Sequence, residues 1–357
     1  MINVPASITP VSRASVAARA AATLRTVAPG IALAVAVALT ANFSAPVIAR
    51  VAPIPAMVVA LFIGIALNPF AAKPQFQPGL AFCVKKLLRW AVALLGLRIA
   101  LGEIVALGLP VAMLVVFAMV ATVISGFLLA RAFGQDAGYG ALAGAGTAVC
   151  GASATLATAT VLPGYPGKEA DVVFVVVAVN ALSTAAMVLY PPLCAFLGFD
   201  WHVTGVMLGG TIHDVAQVVG AGYAVSEAVG NTAVIVKLFR VFLLLPVVLA
   251  VGWWFAHAGA ETGEAKVPVP VFALVFLALC LLNSAMPALP ALAGVYAPVK
   301  AALALASTWG LLIAIAALGL GTSLTAIGAL GWRHIATVTG TTAVILAAMT
   351  AGLLALR

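Results

Sequence analysis

The sequence has very few charged side chains. Asp, Glu, Lys and Arg make up only 7% of the 357 residues, whereas hydrophobic residues make up 65% and the mean hydropathy is +1.24. An average soluble protein has about 25% charged residues. No polar stretch is long enough to form the core of a separate soluble domain. The composition therefore excludes a soluble protein and predicts an all-α polytopic membrane protein.

Acidic residues are especially scarce. The chain has 9 acidic and 17 basic residues, with a formal net charge of +8. In a soluble protein this excess would suggest a nucleic-acid partner. Here the basic residues are concentrated beside apolar segments, as the positive-inside rule of membrane proteins predicts. We therefore expect the lipid bilayer as a partner and no nucleic acid.

Motifs of catalysis and metal binding are also missing. The sequence contains no GxSxG, HExxH or Walker motif, and no GxGxxG in a strand-turn-helix context, so enzymatic activity has no support. Its four cysteines lie in separate apolar segments without CxxC or Cys/His spacing: Cys83, Cys150, Cys194 and Cys280. These observations predict a non-enzyme without cofactor or metal, whose cysteines are packed thiols.

Long apolar segments are abundant. Eleven candidate spans follow one another at residues 27–43, 54–70, 84–105, 111–131, 139–161, 170–198, 204–225, 232–256, 268–286, 300–327 and 335–356. A span needs about 17 residues or more, so the shortest candidates, such as residues 27–43, could be peripheral, and ten spans are the alternative to eleven. We expect residues 27–357 to form one transmembrane domain.

Residues 1–26 form a basic arm with Arg13, Arg19 and Arg25. We expect this arm to be disordered or to lie on the cytoplasmic surface, with a targeting segment as the alternative. Alternating the eleven spans places ten Lys and Arg residues on the side of the N-terminus and four on the other side. This bias predicts a cytoplasmic N-terminus and an external C-terminus.

The stretch GYGALAGAGTAVCGAS, at residues 138–153, is the most unusual part of the chain. In residues 139–161, 18 of 23 side chains belong to Gly, Ala, Ser, Thr or Cys. Such small side chains let helices approach closely, and glycines let a helix unwind at membrane depth around a ligand. A simple packing seam through Gly140 and Gly144 is the alternative to a broken helix.

Polar groups within this stretch suit an anion. Thr147, Cys150 and Ser153 follow at intervals of three residues, with Gly151 between them. If the helix breaks there, the free N–H groups at the start of the next half-helix would hold an oxyanion without a full charge. We therefore consider these four residues candidate substrate ligands.

Two cations lie inside the eighth span. Lys237 and Arg240 are three residues apart, on one helical face, with no acidic residue at helical spacing. Charges inside spans are costly and are usually functional. We expect them, with Arg98 of the third span, to attract a small anion. The alternatives are that the two cations extend to the headgroups and that Arg98 pairs with Glu103.

The seventh span contains His213 and Asp214 within GGTIHDVAQVVGAG. Adjacent residues on a regular helix point about 100° apart, so both face one site only if the backbone is broken there. Histidine titrates near neutral pH and a desolvated carboxylate takes up protons readily. The pair is a candidate for proton coupling or gating. A hydrogen-bonded pair between helices is the alternative.

One internal similarity suggests a duplicated fold. LLGLRIALGEI at residues 94–104 and ALGLGTSLTAI at residues 317–327 share a Leu-Gly-Leu core followed by a small or polar break. Transporters built from inverted repeats show similar internal symmetry. The match is short and rests on residues that are common throughout the chain.

From residue 54 onward the chain resembles the YeiH-type sulfate exporter family of bacterial inner-membrane proteins. The resemblance rests on LLRWAVALLGLRIALGEI, GTAVCGASATLA, GGTIHDVAQVVGAG with VKLFRVFLLLP, and AALGLGTSLTAI. It implies 10 or 11 transmembrane helices with inverted repeats and broken helices that cross near the midplane, similar to bile acid symporters and cation/proton antiporters. It also implies a small inorganic or sulfonate-related anion as substrate.

The sequence thus predicts a multi-pass transporter of the bacterial inner membrane that exports a small oxyanion such as sulfate or sulfite. Coupling to protons is the first hypothesis. A sodium-coupled carrier of an organic acid and a channel-like or sensory membrane protein are the alternatives. Both a monomer and a homodimer are compatible with the sequence.

Overall fold

The computed structural model describes residues 13–48, 56–99, 107–257, 271–289, 293–321 and 332–356, together with residues 102 and 105. All regular elements in these ranges are helical. In chain order they are α1 (Arg13–Ile48), α2 (Ala56–Ala66), α3 (Asn68–Ala71), α4 (Gln77–Phe82), a π-turn (Cys83–Leu87), α5 (Leu88–Leu94) with a 3-10 turn (Leu95–Leu97), α6 (Gly108–Ala132), α7 (Ala137–Ala148), α8 (Ala152–Val161), α9 (Lys168–Phe196), α10 (Trp201–Thr211), α11 (Val215–Val225), α12 (Glu227–Phe242), α13 (Leu244–His257), α14 (Val271–Ala285) with a 3-10 turn (Met286–Ala288), α15 (Ala293–Gly321) and α16 (Trp332–Ala355).

Seven helical segments in the described residues are long and apolar enough to cross a membrane. They are Arg25–Ala45 within α1, α6, α9, the α12–α13 pair, α14 with its 3-10 turn, α15 from Gly294, and α16. This confirms a polytopic all-α membrane protein. Helix α1 begins at Arg13, within the segment that the sequence predicts as an arm. The four cysteines are all buried thiols, as predicted.

The Gly-rich fifth candidate span is broken at residues 149–151 and turns back. Helix α7 ends at Ala148 and α8 begins at Ala152. Tyr165, just beyond α8, lies against Gly138 at the start of α7. A helix that continued through the membrane would place these residues on opposite sides. Residues 137–161 therefore form a re-entrant helical hairpin, which we call hairpin I.

The seventh candidate span is broken at residues 212–214 and also turns back. Gly205 near the start of α10 packs against Thr232, and Gly222 near the end of α11 packs against Gly230. Thr232 and Gly230 both lie in the first turns of α12, so the two ends of residues 201–225 are at the same depth. We call this segment hairpin II.

The two hairpins enter from opposite sides of the membrane. Helix α9 connects the end of hairpin I to the start of hairpin II, and its 29 residues extend about 44 Å. This exceeds the thickness of a bilayer core, about 30 Å. The expectation of broken helices is confirmed, and each broken segment returns to its own side instead of continuing through the membrane. A sequence of 23 apolar residues fits either path, which is why its length did not distinguish them.

Two sides of the molecule are defined by the helix ends. Side one contains the end of α6 and the start of α16, where the Tyr139 hydroxyl donates to the His334 carbonyl oxygen at 2.8 Å. Side two contains the start of α6 and the end of α16, where Leu107, His202 and Leu353 line one cleft. Hairpin I opens to side one and hairpin II opens to side two.

The helices pack as two bundles. One, the support bundle, consists of α1–α5, α14 and α15; the other, the hairpin bundle, consists of α6–α13 and α16. The closest packing between them is made by α11 against α2 and α15. In the hairpin bundle, glycines allow α6 and α7 to touch: a Cβ on Gly140 would lie 2.6 Å from the Gly126 carbonyl oxygen. The Gly-rich stretch is thus a packing seam as well as a broken helix.

Candidate functional site

The breaks of the two hairpins meet inside the hairpin bundle. We call residues 149–151 tip I and residues 212–214 tip II. A Cβ on Gly151 of tip I would lie 3.9 Å from the His213 carbonyl carbon of tip II. Gly151 has φ +66° and ψ −125°, a backbone conformation that residues other than glycine rarely adopt. Glycine at this position lets the chain reverse while the tips remain in contact.

Aspartates begin the helices on both hairpins. The Asp136 carboxylate accepts from the Gly138 N–H at 2.7 Å, and the Asp200 carboxylate accepts from the Val203 N–H at 2.8 Å. In each hairpin a Gly-Thr pair lies at the end of the first helix. The spacing is the same, since Thr147 follows Asp136 by eleven residues and Thr211 follows Asp200 by eleven residues. The hairpins are therefore related in sequence as well as in geometry. This is a repeat different from the Leu-Gly-Leu pair.

Lys237 lies between the two tips and is completely buried. Its Nζ donates to the carbonyl oxygens of Val149 at 2.6 Å and Ile212 at 3.0 Å, and also to that of His213. An ammonium group has three donors, so all of them are used. Lys237 thus ties tip I to tip II.

Arg240, one turn further along α12, also joins the end of hairpin I's first helix to that of hairpin II. Its Nε and Nη2 donate to the Ala148 carbonyl oxygen at 3.0 and 2.7 Å, and Nη2 also donates to that of Thr147 at 2.9 Å. Its Nη1 donates to the carbonyl oxygens of Gly209 and Ile212, each at 3.0 Å. All five guanidinium donors are used.

These contacts have a simple electrostatic cause. The last carbonyl groups of a helix lack intrahelical partners and carry the negative end of the helix dipole. Helices α7 and α10 both end at the tips, so their unpaired carbonyl oxygens meet in the low-dielectric interior. The two buried cations satisfy these oxygens. The sequence predicts that Lys237 and Arg240 face one place, and they do; their immediate partners are backbone oxygens.

The other predicted residues at or beside tip I differ in accessibility. Thr147 is fully buried and its hydroxyl lies 2.9 Å from that of Thr341 in α16. Cys150 is 7% exposed, whereas Ser153, in the first turn of α8, is half-buried. The N-cap residue of α8 is Gly151, which has no side chain to cap the helix. A ligand approaching tip I would therefore meet Ser153 and the first N–H groups of α8.

The two polar residues of tip II point in different directions. His213 is fully buried, with Nε2 3.0 Å from the Thr342 hydroxyl of α16. Asp214 is half-buried and its carboxylate accepts from the Ala216 N–H at 2.7 Å, which caps α11. The Asp214 N–H donates to the Ser183 hydroxyl of α9 at 3.1 Å. The backbone break is confirmed, but only Asp214 is open to a ligand.

Arg98 is not brought to the tips. It forms an ion pair with Glu227, at 3.0 Å, and donates to the Thr308 hydroxyl at 2.8 Å. Glu227 precedes Lys237 by ten residues of α12, about 15 Å along the helix. Glu103, the partner considered from the sequence, lies outside the described residues.

Sequence reasoning overlooked the two threonines of α16 that hold the tips from behind. Thr341 contacts Thr147 of hairpin I and Thr342 contacts His213 of hairpin II. Their signal is the Gly-Thr-Thr run at residues 340–342 in an apolar span, which an inspection for charged residues passes over. Helix α16 therefore fixes both tips from one side while α12 fixes them from another.

Comparison with known proteins agrees with this architecture. A family described as conserved hypothetical protein 698 matches residues 29–338. The UPF0324 membrane protein TauZ of Paracoccus pantotrophus is 43% identical over 329 residues, which cover 91% of this chain and 94% of the relative. The UPF0324 membrane protein CT0845 of Chlorobaculum tepidum is 39% identical over 285 residues, which cover 79% of this chain and 77% of the relative.

No solved structure matches the chain. The family model covers the described helices from α1 into α16 and therefore includes both hairpins and α12. By its match over most of its length, the chain belongs to the conserved hypothetical protein 698 family of membrane proteins.

Proposed function

We propose that this protein is a secondary transporter that moves a small oxyanion, such as sulfate, sulfite or a sulfonate-related anion, out of the cell. The observation that carries the proposal is the meeting of two re-entrant hairpin tips from opposite sides of the membrane. Irregular backbone inside a membrane is found where it is buried in protein or lines a cavity, and in transporters it commonly binds substrate.

The chemistry of the tips supports an anion. The N-cap residue of α8 is Gly151, which has no side chain to cap the helix, and Ala152 and Ser153 at the start of α8 are incompletely buried. The positive end of a helix favours a bound oxyanion. Lys237 and Arg240 stand behind the tips and add positive field there, although their own donors are occupied by carbonyl oxygens.

The division into two bundles supports alternating access. Both tips belong to the hairpin bundle, and the closest packing of this bundle on the support bundle is through α11. A substrate bound at the tips is exposed to one side or the other if the hairpin bundle moves as a unit. The resemblance to sulfate exporters favours the same class of carrier.

The basic residues support a cytoplasmic side one. Lys73, Arg131, Lys168 and Arg333 lie at helix ends or turns on this side. Because hairpin I is re-entrant, Lys168 is on the same side as Arg131, which strengthens the bias. By the positive-inside rule, side one faces the cytoplasm and side two the exterior. In this proposed orientation the start of α1 faces the cytoplasm, and the membrane is the bacterial inner membrane.

The test is exchange of labelled sulfate and sulfite by purified protein in proteoliposomes under an imposed pH gradient. We expect uptake that depends on the gradient, reduced in Asp214→Asn and abolished in Lys237→Ala. Arg131→Gln, which removes an exposed cation far from the tips, is the matched control. If no oxyanion moves, or if both tip variants transport like the wild type, the proposed function is wrong.

Sodium-coupled transport of an organic acid is a second candidate, supported by one observation. Gln217, one turn after Asp214, has a buried Oε1 without a hydrogen-bond partner among the described residues. A carboxylate and an unpaired amide oxygen are ligands that suit a sodium ion. Replacing sodium by choline would abolish transport in this case and leave proton-coupled sulfate transport unchanged.

A further inference from the structure

One ion pair in the described part of the chain joins the support bundle to the hairpin bundle. Arg98 directly follows the 3-10 turn after α5, and its Nη1 donates to Oε1 of Glu227, the first residue of α12, at 3.0 Å. The other ion pair of the described residues, His334 with Asp171, connects α16 to α9 within the hairpin bundle. A movement of one bundle against the other therefore acts directly on the Arg98–Glu227 pair.

This pair lies at side two, at the rim of the boundary between the bundles. Helix α12 begins at side two beside the ends of hairpin II, so Glu227 is at the rim, whereas Lys237 is about 15 Å further along the helix. On the support bundle, Arg98 Nη2 donates to the Thr308 hydroxyl of α15 at 2.8 Å. Helix α15 is also one of the two helices against which α11 packs. The pair thus spans the boundary between the tips and the exterior of side two.

The two partners are held very differently. Arg98 is fixed to the support bundle, because its Nη2 bonds to α15 and the next residue, Ile99, accepts at its carbonyl oxygen from Asn283 Nδ2 at 3.3 Å. Asn283 is itself held by α15, since its Oδ1 accepts from Lys300 Nζ at 2.7 Å. Glu227 accepts from no other group among the described residues. When the pair opens, Arg98 stays with the support bundle and Glu227 leaves with α12.

Both side chains are accessible enough for the pair to open and close. The side chain of Glu227 is 65% exposed and that of Arg98 is 28% exposed. A cavity of about 360 Å³ also borders Glu227 and is lined by His202 and Asn231. A carboxylate released from Arg98 is therefore solvated there. Because exposed ion pairs add little to stability, breaking this one shifts the balance of two states without unfolding the protein.

We propose that the Arg98–Glu227 ion pair is a latch that closes side two of the boundary between the bundles, and that it opens whenever the tips are exposed to side two. The inference rests on the proposed function, because alternating access is what requires the latch to open. Among the described residues, no ion pair joins the two bundles at side one. Removing the latch therefore favours the state that is open at side two over the state that is open at side one.

Three variants of the latch are expected to differ in a fixed order. Glu227→Gln removes the attraction and is expected to raise the ratio of open to closed side two by about two- to fivefold. Glu227→Arg places two cations together and is expected to raise the ratio further. Adding Arg98→Glu to Glu227→Arg restores a pair of reversed polarity, so the ratio returns toward that of the wild type. A purely structural role of either side chain would not give this rescue.

The experiment measures distances between pairs of spin labels by pulsed EPR on the purified full chain in nanodiscs. Leu109→Cys at the start of α6 and Val295→Cys near the start of α15 report on side two. Trp332→Cys at the start of α16 and Phe70→Cys in α3 report on side one. All four positions are exposed, whereas the four native cysteines are buried. In Glu227→Gln we expect longer distances to gain population at side two and shorter ones at side one.

Glu169→Gln is the matched control. Glu169 is likewise an exposed glutamate in the first turn of a long helix, but it is at side one and forms no ion pair with a described residue. Its replacement is expected to leave both distances unchanged. The inference is overturned if both Glu227 variants keep the side-two distances of the wild type, if Glu169→Gln shifts them equally, or if the reversed pair behaves like Glu227→Arg.

Counterflow of labelled sulfate by the wild type separates failure of the latch from failure of the proposed function. If the distances respond to Glu227 as expected but neither sulfate nor sulfite moves, the latch stands and the proposed substrate is wrong. If sulfate is transported and the distances do not respond, the proposed function stands and the latch is wrong. Melting temperatures verify that each variant is folded.

Discussion

Hairpins I and II share a backbone design but differ at their tips. Each begins with an aspartate cap and has Gly-Thr at the end of its first helix, and its last carbonyl oxygens accept hydrogen bonds from the same two cations. At the position equivalent to Asp214 of hairpin II, hairpin I has Cys150, since each follows the aspartate cap by fourteen residues. Tip II thus provides an acidic cap for α11, whereas the equivalent residue of hairpin I is an uncharged thiol. Under the proposed function, tip I is the half that binds the anion and tip II is the acidic half.

The largest effect is expected from removing Arg240, a cation that both hairpins share. Arg240→Ala leaves the carbonyl oxygens of Thr147, Ala148, Gly209 and Ile212 without these buried donors. Removing one partner from a buried charged network costs about 3–5 kcal/mol. We expect a large fall in melting temperature in detergent, measured by fluorescence-detected size exclusion.

Arg240→Lys is the matched variant, because it keeps the charge but offers three donors instead of five. It is expected to melt between Arg240→Ala and the wild type. If Arg240→Ala melts like the wild type, the cation does not hold the hairpins together.

The next effect is specific to hairpin I. Gly151→Ala places a Cβ at a φ of +66° and ψ of −125°, which is expected to cost about 1–3 kcal/mol. Tip II has no positive φ, so its backbone tolerates side chains. Gly164→Ala is the control, because that glycine has open space around it. Equal melting temperatures for the two variants would contradict the proposed geometry of tip I.

A smaller effect is expected at hairpin II. Asp214→Ala removes the cap of α11 and is expected to cost about 0.5–2 kcal/mol, whereas Asp214→Asn keeps an oxygen at the cap and is expected to cost less. The difference between these two variants in thermal melting isolates the cap from the charge. If Asn destabilises the protein as much as Ala, the charge of Asp214, and not its cap, stabilises tip II.

The smallest effect concerns the contact of tip I with α16. Thr147→Val removes the hydroxyl that lies 2.9 Å from that of Thr341, while the volume of the side chain is kept. One hydrogen bond contributes about 1 kcal/mol. We expect a slightly lower melting temperature with little change in sulfate binding. A loss of binding without a loss of stability would instead make Thr147 a direct ligand.

The sequence was sufficient for the fold class, and it indicated the two spans that are broken. Low charge and long apolar runs predict membrane helices, and clustered glycines indicate unwinding within residues 139–161 and 204–225, whereas the residues of each break came from the structure. The sequence did not predict the path of the chain after each break. Returning and crossing helices have the same length and composition, and only contacts such as Tyr165 with Gly138 distinguish them.

The candidate site was predictable in part for a related reason. Lys237 and Arg240 stand out because charges are rare inside spans, yet their partners are backbone carbonyl oxygens, which every residue has and no pattern reveals.

The most direct test of the account is counterflow of labelled sulfate into proteoliposomes loaded with unlabelled sulfate. A carrier with one site at the hairpin tips predicts uptake that saturates with sulfate concentration, is inhibited by sulfite, and is lost in Lys237→Ala but not in Arg131→Gln. Flux that rises linearly without saturation, or no flux of either anion, would contradict the account.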